Sequence, residues 1–263
     1  MRFLIIFSFA FLISTGIQAQ FWFGPKIGGQ FTKHSYQAKD YSKQYDVDKD
    51  LNWHAGFALQ YTTEQRFAVH TELIYQKVRN RVRNKVDTAV LDHRTDYTFL
   101  TTSMHGRFAF MEGVVSLYGL FGPRMSYWVN GSGSYVSQEA SDNFGVPGGS
   151  YTVEFSDNLG GAGNQTLVVP RPNRLQYGLD VGIGTLIDLA SGQRLAVEVK
   201  YGIGHSNMGF NDDLELVEGI TYKPNIQFAN DMVVFSVSYL FGYNPTDRRK
   251  GSSTNKLSNK KKK

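Results

Sequence analysis

The chain of 263 residues has six histidines, 23 acidic side chains and no cysteine, and a few of these groups have neighbours that could do chemistry. Asp92 precedes His93, with Asp96 close behind, and His205 precedes Ser206. A hydrolase or acyltransferase would need such a base beside an acid and a serine nucleophile. Adjacent residues of a strand point to opposite faces, so His205 and Ser206 would not meet there, and no nucleophile motif flanks any serine. His54, His70 and His105 are metal ligands by type, yet their spacing is unmatched and nothing in the sequence brings them together. The stretch "DVDKD", Asp46 to Asp50, opens like a calcium loop with carboxylates at alternate positions. An EF-hand needs glycine where Leu51 stands and glutamate where Phe57 stands. Gly160, Gly161 and Gly163 in "NLGGAGNQ" follow no strand–helix pattern, which rejects a phosphate-binding loop. No catalytic residue, no cofactor-binding residue and no metal ligand is therefore assigned. Solvated polar loops are the better account.

The elements that must position these side chains are strands. In "LNWHAGFALQYT", Leu51, Trp53, Ala55, Phe57, Leu59 and Tyr61 form one face, and Asn52, His54, Gly56, Ala58, Gln60 and Thr62 the other. Eight segments alternate in this way, at about 21–32, 51–62, 66–78, 97–110, 114–129, 174–188, 194–205 and 231–241. Between them tight turns ("TTEQR", "MEG", "LASGQ") alternate with long polar segments at about 33–50, 79–96, 130–173 and 206–230. Short turns at one end and long loops at the other predict an all-β fold: an eight-stranded antiparallel transmembrane β-barrel of outer-membrane type, with short periplasmic turns and long extracellular loops. Trp53, Tyr61, Phe67, Tyr75, Tyr127, Tyr177, Tyr201 and Tyr239 supply aromatic girdles near the strand ends.

The domain plan follows from the termini. Residues 1–19 read as a secretory signal peptide: Arg2, an apolar run from Phe3 to Ile13, and a small-residue site ending at Ala19. Residues 20–241 form the barrel. Residues 242–263 form a disordered basic periplasmic tail with eight Lys/Arg and one Asp. The tail contributes +7 and the leader +1 to the formal net charge of +5, so the barrel itself carries −3. The charge is a property of the tail, not of a basic surface that could track nucleic acid, so no nucleic-acid partner is expected.

The faces opposite the apolar ones line the lumen. The expected structural lining includes Lys26, His54, His70, Glu72, Arg107, Arg124, Asp180, Glu198 and Lys200, with Gln60, Gln76, His105 and Tyr118 beside them. Eight strands leave an interior just wide enough for side chains, which predicts a bridged plug rather than an open pore. A hairpin with Tyr61 opposite Phe67 would set Ala58 against His70 and Gly56 against Glu72. The "LASGQ" turn sets Gly184 against Glu198 and Gly182 against Lys200. Arg124 is expected to reach Asp180, with Lys200 in diagonal range of the same acid. "FGPK" (Phe23 to Lys26) and "FGPR" (Phe121 to Arg124) put each base inward and each proline toward lipid. The missing proline N–H predicts a local bulge, with glycine absorbing the bend.

The pieces "FGPKIGGQFT", "YGLFGPRMSY", "LDVGIGTLI", "LAVEVKYGIG" and "FSVSYLF", in this order, resemble the Bacteroidota outer-membrane β-barrel family called PorT-like. The fourth strand, "YTFLTTSMHGRF", departs from it by lacking a Leu-Glu-Ile-Pro pattern, as do the extended third loop and the basic tail. The barrel reading implies a cell outer-membrane location and a non-enzymatic scaffold or adaptor role, and the resemblance implies a tie to a type IX secretion or gliding assembly. The implied partners are outer-membrane lipid and lipopolysaccharide, the barrel-assembly machinery that reads a closing aromatic strand, and a secretion or periplasmic protein met through loops or tail. The alternatives are a small-solute channel and a rim enzyme, a hydrolase or acyltransferase.

Overall fold

The computed structural model describes residues 20–37, 45–48, 50–62, 66–84, 91–156, 166–190, 192–209, 214 and 222–243. The proposed signal peptide and the tail beyond Tyr243 lie outside the described residues. The elements are β1 (Gln20–Tyr36), β2 (Tyr45–Val47), β3 (Leu51–Thr62), β4 (Phe67–Asn84), β5 (Asp92–Met111), β6 (Val115–Val136), α1 (Gln138–Phe144), β7 (Gly148–Phe155), β8 (Thr166–Val169), β9 (Leu175–Asp188), β10 (Gln193–Gly204) and β11 (Phe228–Tyr243).

Eight of these strands close a ring. Around it run β1, β3, β4, β5, β6, β9, β10 and β11, every neighbouring pair antiparallel, and β11 returns to β1. Closure leaves no edge in the apolar zone, which is the condition for crossing lipid with strands. The outward face of the ring is an apolar belt that includes Ile27, Phe57, Leu73, Met104, Phe121, Ile183 and Phe235, all exposed. The eight expected strands are the eight of the ring. No helix among the described residues is long and apolar enough to cross a membrane.

Three expectations need correction. The first concerns strand length. β6 runs for 22 residues and β5 for 20, about twice the 9–11 needed to span a bilayer. The segment 79–96, expected as a loop, is mostly the continued β4–β5 ladder, with Arg83 paired to Asp92. The alternation of "VRNRVRN" never stops. Only its outward residues change, from apolar to Arg79, Arg81 and Arg83. The segment 130–173 folds further into the end of β6, α1, β7 and β8. Ser137 caps α1 by accepting from the Ala140 amide at 3.2 Å, and Gly145 ends it at φ 70°.

The second correction is a register. Ala58 faces Glu72, Gln60 faces His70, and Tyr61 faces Val69, a shift of two residues that keeps every side chain on its expected face. Tyr61 instead packs at a tilt against Phe21 at 5.0 Å and Phe67 against Phe108 at 5.1 Å. Each aromatic thus packs across its other strand boundary. The Gly184–Glu198 and Gly182–Lys200 pairs are as expected.

The third correction concerns Gly-Pro. The β1–β11 register is unbroken from Phe23–Phe241 to Lys26–Ser238, as is β5–β6 from Ser103–Arg124 to Gly106–Phe121. There is no bulge at either proline. A Cβ on Gly24 would stand 1.8 Å from the Tyr239 carbonyl oxygen, and one on Gly122 would stand 2.0 Å from that of Met104. The glycine Hα points at a neighbouring carbonyl, the arrangement of a Cα–H···O contact. Pairing lapses locally and the strands stay in step. The β5–β6 ladder does shift between Thr98 and Phe99, where the belt ends.

Candidate functional site

The interior has three layers. At the short-turn end Trp22, Ala58, Tyr118, Leu120, Leu186, Ala196 and Leu240 form an apolar floor. Above it lies a polar middle, and at the long-loop end a second apolar cluster.

Glu72 of β4 is the hub of the middle. It binds Lys26 Nζ at 2.5 Å through Oε1 and Lys200 Nζ at 2.6 Å through Oε2. His70 Nε2 lies 2.8 Å from Oε1, and Ser103 donates to Oε2 at 3.3 Å. Lys200 comes from β10, on the wall opposite β4, so this ion pair spans the lumen. Lys26 also binds Glu198, which accepts from the Tyr118 hydroxyl at 2.7 Å. A second group centres on Asp180, with His105 Nε2 at 3.1 Å and Arg124 at 3.0 Å. Arg107 donates to Gln60 and lies 3.5 Å over the Tyr118 ring. All nine residues assigned to the lumen lining are buried there. Eight join these contacts. His54 does not: its Nδ1 has no hydrogen-bond partner among the described residues.

One of the two expected pairings to Asp180 forms and the other does not. Arg124 reaches Asp180, but Lys200 crosses to Glu72, because Asp180 is already flanked by Arg124 and His105. Glycines make the room. A Cβ at Gly184 would stand 2.4 Å from the Tyr118 ring, and one at Gly202 would stand 2.1 Å from Arg124.

His70, Glu72 and His105 do come together, with ligand atoms within 4.8 Å of one another. The group does not fit a metal. Two lysine ammoniums already occupy both Glu72 oxygens, so a cation would have to enter beside two positive charges.

The outer cluster was not legible in the sequence. Val78, Tyr97, Phe99, Trp128, Tyr135, Ala140, Tyr151, Leu167, Val169, Met208, Leu214, Tyr222, Ile226 and Phe228 are buried together. Tyr97 of β5 meets Phe228 of β11 at 6.0 Å from the opposite wall, so the cap closes the long-loop mouth. Its signal was period-two alternation with charged outward residues. Within it His93 Nε2 lies 2.7 Å from the Tyr151 hydroxyl and Nδ1 3.2 Å from that of Tyr222. Burial pushes the His93 pKa down to about 4, so at neutral pH the ring is uncharged and ties two loop segments to β5. Outside the cap, Arg79 bonds Asp96 at 2.7 Å and Arg81 bonds Asp92 at 2.7 Å. The Arg81 guanidinium holds the Asp92 carboxyl below its usual range.

The residues weighed for catalysis are thus engaged elsewhere. Asp92 and Asp96 serve arginines, and His93 serves tyrosines. Ser206 Oγ accepts from the Tyr177 amide at 2.9 Å, while His205 is exposed beside the Tyr177 ring. Of "DVDKD", Asp48 and Asp50 lie near Arg83 and Arg79, and Lys49 lies outside the described residues, as does "NLGGAGN".

A family model described as outer membrane protein beta-barrel domain matches residues 18–211. No curated protein matches the chain. Among solved structures, the chain is similar to Ail, the attachment invasion locus protein of Yersinia pestis, at 13% identity and TM-score 0.33, covering 84% of this chain and 99% of that one. It is similar to Neisserial surface protein A at 12% identity and TM-score 0.36, covering 84% and 97%. It is similar to a major outer membrane protein from Thermus thermophilus at 9% identity and TM-score 0.41, covering 84% and 98%. At these scores the likenesses carry no argument about what the chain does.

Proposed function

We propose that this chain, which belongs to the outer membrane protein β-barrel domain family, is a non-enzymatic scaffold that holds a folded cap outside the cell. The observation that carries this reading is the double closure of its lumen. The Lys200–Glu72 pair bridges opposite walls at mid-barrel, and the Tyr97–Phe228 contact bridges them at the mouth. A barrel plugged twice offers a solute little passage, and its long strands build a surface rather than a pore.

The sharper form places the chain among PorT-like barrels of the Bacteroidota, in a type IX secretion or gliding assembly. The sequence pieces from "FGPKIGGQFT" to "FSVSYLF" support it. The cap would meet an exterior partner, and the basic tail an acidic periplasmic one. The apolar belt and girdles would meet lipid and lipopolysaccharide. The closing strand, with Phe235, Val237, Tyr239 and Phe241 outward, would be read by the barrel-assembly machinery.

The test joins two measurements. Crosslinking and co-purification from native outer membranes should recover secretion or gliding components with the full chain. Planar-bilayer recording of refolded protein should be silent. Steady single-channel currents that change when Lys26 and Arg124 become alanine would replace the scaffold with a small-solute channel. Hydrolysis or acyl transfer by the purified chain would replace it with a rim enzyme.

A further inference from the structure

Between the Glu72 hub and the cap lies a small cavity lined by Gln76, Phe99, Arg124, Ser126, Gln176 and Asn230, among others. Arg124 of the polar middle and Gln176 line it together. Arg124 is buried, and its contact with Asp180 is one of charge rather than a directed hydrogen bond: Asp180 Oδ1, 3.0 Å from the guanidinium, has no hydrogen-bond partner among the described residues. Arg124 lines the cavity from this position. Gln176 Nε2 is likewise buried without a partner among the described residues. Arg124 pairs with Gly178 and Ser126 with Gln176 across β6 and β9, so Arg124 and Gln176 are inward-facing diagonal neighbours, within reach of one small bound group.

The space for the guanidinium is built into two other strands. A Cβ at Gly202 would stand 2.1 Å from Arg124 Nη1, and one at Gly178 would stand 3.0 Å from Nη2. Any side chain at Gly202 would drive the arginine out. The charge balance also has a sign. Four bases, Lys26, Arg107, Arg124 and Lys200, share the polar middle with three carboxylates, Glu72, Asp180 and Glu198, so an anion is favoured over a cation. The buried Gln176 donor without an acceptor calls for an occupant, and a planar arginine guanidinium beside it suits a small oxyanion or halide.

We propose that this cavity binds a small monovalent anion, of halide or formate size, on the Arg124 guanidinium and the Gln176 amide. The proposal does not depend on the scaffold reading, because a closed barrel and a channel could each hold such an ion. The test uses refolded full-length protein in detergent. Thermal unfolding is followed by heat-modifiable gel mobility in chloride, bromide or formate, against gluconate, which is too large for the cavity, at matched ionic strength. The small anions should raise the midpoint by roughly 2–4 °C, the shift expected for a chain of this size at about tenfold saturation. Gln176→Leu should abolish the difference, as should Arg124→Gln. Gln176→Leu changes no charge and keeps the test valid if Arg124→Gln fails to fold. Bromide-soaked crystals should show anomalous density between the two side chains. Equal wild-type midpoints in chloride and gluconate would overturn the proposal. So would a difference undiminished in Gln176→Leu, or bromide absent from the lumen.

Discussion

The membrane-level interior and the exterior cap are built by the same strands with opposite chemistry. Along β5, Thr101, Ser103, His105 and Arg107 face inward below the register shift at Thr98–Phe99, while Leu100, Met104 and Phe108 face outward. Above the shift the inward residues include Tyr97, and the outward ones are Arg94 and Asp96. β4 makes the same exchange. His70, Glu72 and Gln76 give way inside to Val78 and Val82, and Leu73 and Tyr75 give way outside to Arg79 and Arg81. The cause is the solvent. Where lipid surrounds the ring, the outward face must be apolar and the polar complement fills the lumen, held by paired charges. Where water surrounds it, the ordinary rule returns and the apolar face turns in. A strand keeps its period of two throughout, and only the two faces exchange roles.

The largest expected effects come from breaking each interior by its own chemistry. Glu72→Leu leaves Lys200 without its carboxylate and Lys26 with Glu198 alone. Removing one partner of a buried ion pair costs about 3–5 kcal/mol, so the urea midpoint of the refolded barrel should fall and folded, heat-modifiable protein should decrease. An unchanged midpoint would mean that the plug contributes nothing to closure. Trp128→Ala removes the fully buried indole that meets Tyr97 at 5.3 Å, at about 3–5 kcal/mol by its cavity. The cap should become protease-sensitive while the barrel still migrates as folded. Simultaneous loss of both would show that the two interiors unfold as one unit.

How much of this was legible in the sequence depended on the solvent as well. The eight ring strands were visible because alternation of apolar with polar is strongest where one face meets lipid. The lumen lining followed from parity alone, which is why a two-residue register error moved Glu72 from Gly56 to Ala58 without turning it outward. Parity could not tell which carboxylate Lys200 would choose, because that depends on which groups already flank Asp180 across the lumen. The cap was missed for a sharper reason. At "VRNRVRN" the charges on the outer face look like a loop, yet they mark the end of the membrane and not the end of the strand. Gly131 and Gly133 fall in the segment 130–173, expected as a loop. They lie within β6, where Cβ atoms would collide with the Val153 and Tyr151 side chains at 2.9 and 2.3 Å, so they accommodate β7 rather than a turn.

A milder way to separate the two interiors is acid. The unfolded His93 side chain titrates near 6.5 and the folded one near 4, so between those values the unfolded cap binds more protons than the folded cap. The stability held by neutral His93 is complete above pH 6.5 and is lost as pH falls toward 4, by an amount on the order of 3 kcal/mol. Hydrogen exchange of amides in β7 and in residues 222–226 should accelerate across that window. His93→Phe should remove the pH slope while keeping the ring packing. A slope that survives in His93→Phe would assign it to another group.

The smallest effect expected is at the outer surface, and it sharpens the comparison because the chemistry matches that of the plug. Arg81 and Asp92 pair at 2.7 Å, close to the 2.6 Å of Lys200 and Glu72. Their side chains are 34% and 33% exposed, against 5% and 2% for the lumen pair. Water screens the outer pair and rehydrates whichever partner is left, so Arg81→Gln should cost no more than about 1 kcal/mol. That cost should shrink further at high salt, where exposed charges lose their mutual attraction within a few ångströms. In the lumen neither remedy is available, and the Glu72→Leu cost should hardly change with salt. Measuring urea midpoints for both variants at low and high ionic strength gives the contrast directly. If Arg81→Gln destabilised as much as Glu72→Leu, or if both costs fell together with added salt, burial would not be what separates the two regions. A lumen cost that survives salt, beside an outer cost that vanishes, would show that one kind of bond is structural inside the ring and nearly free of consequence outside it.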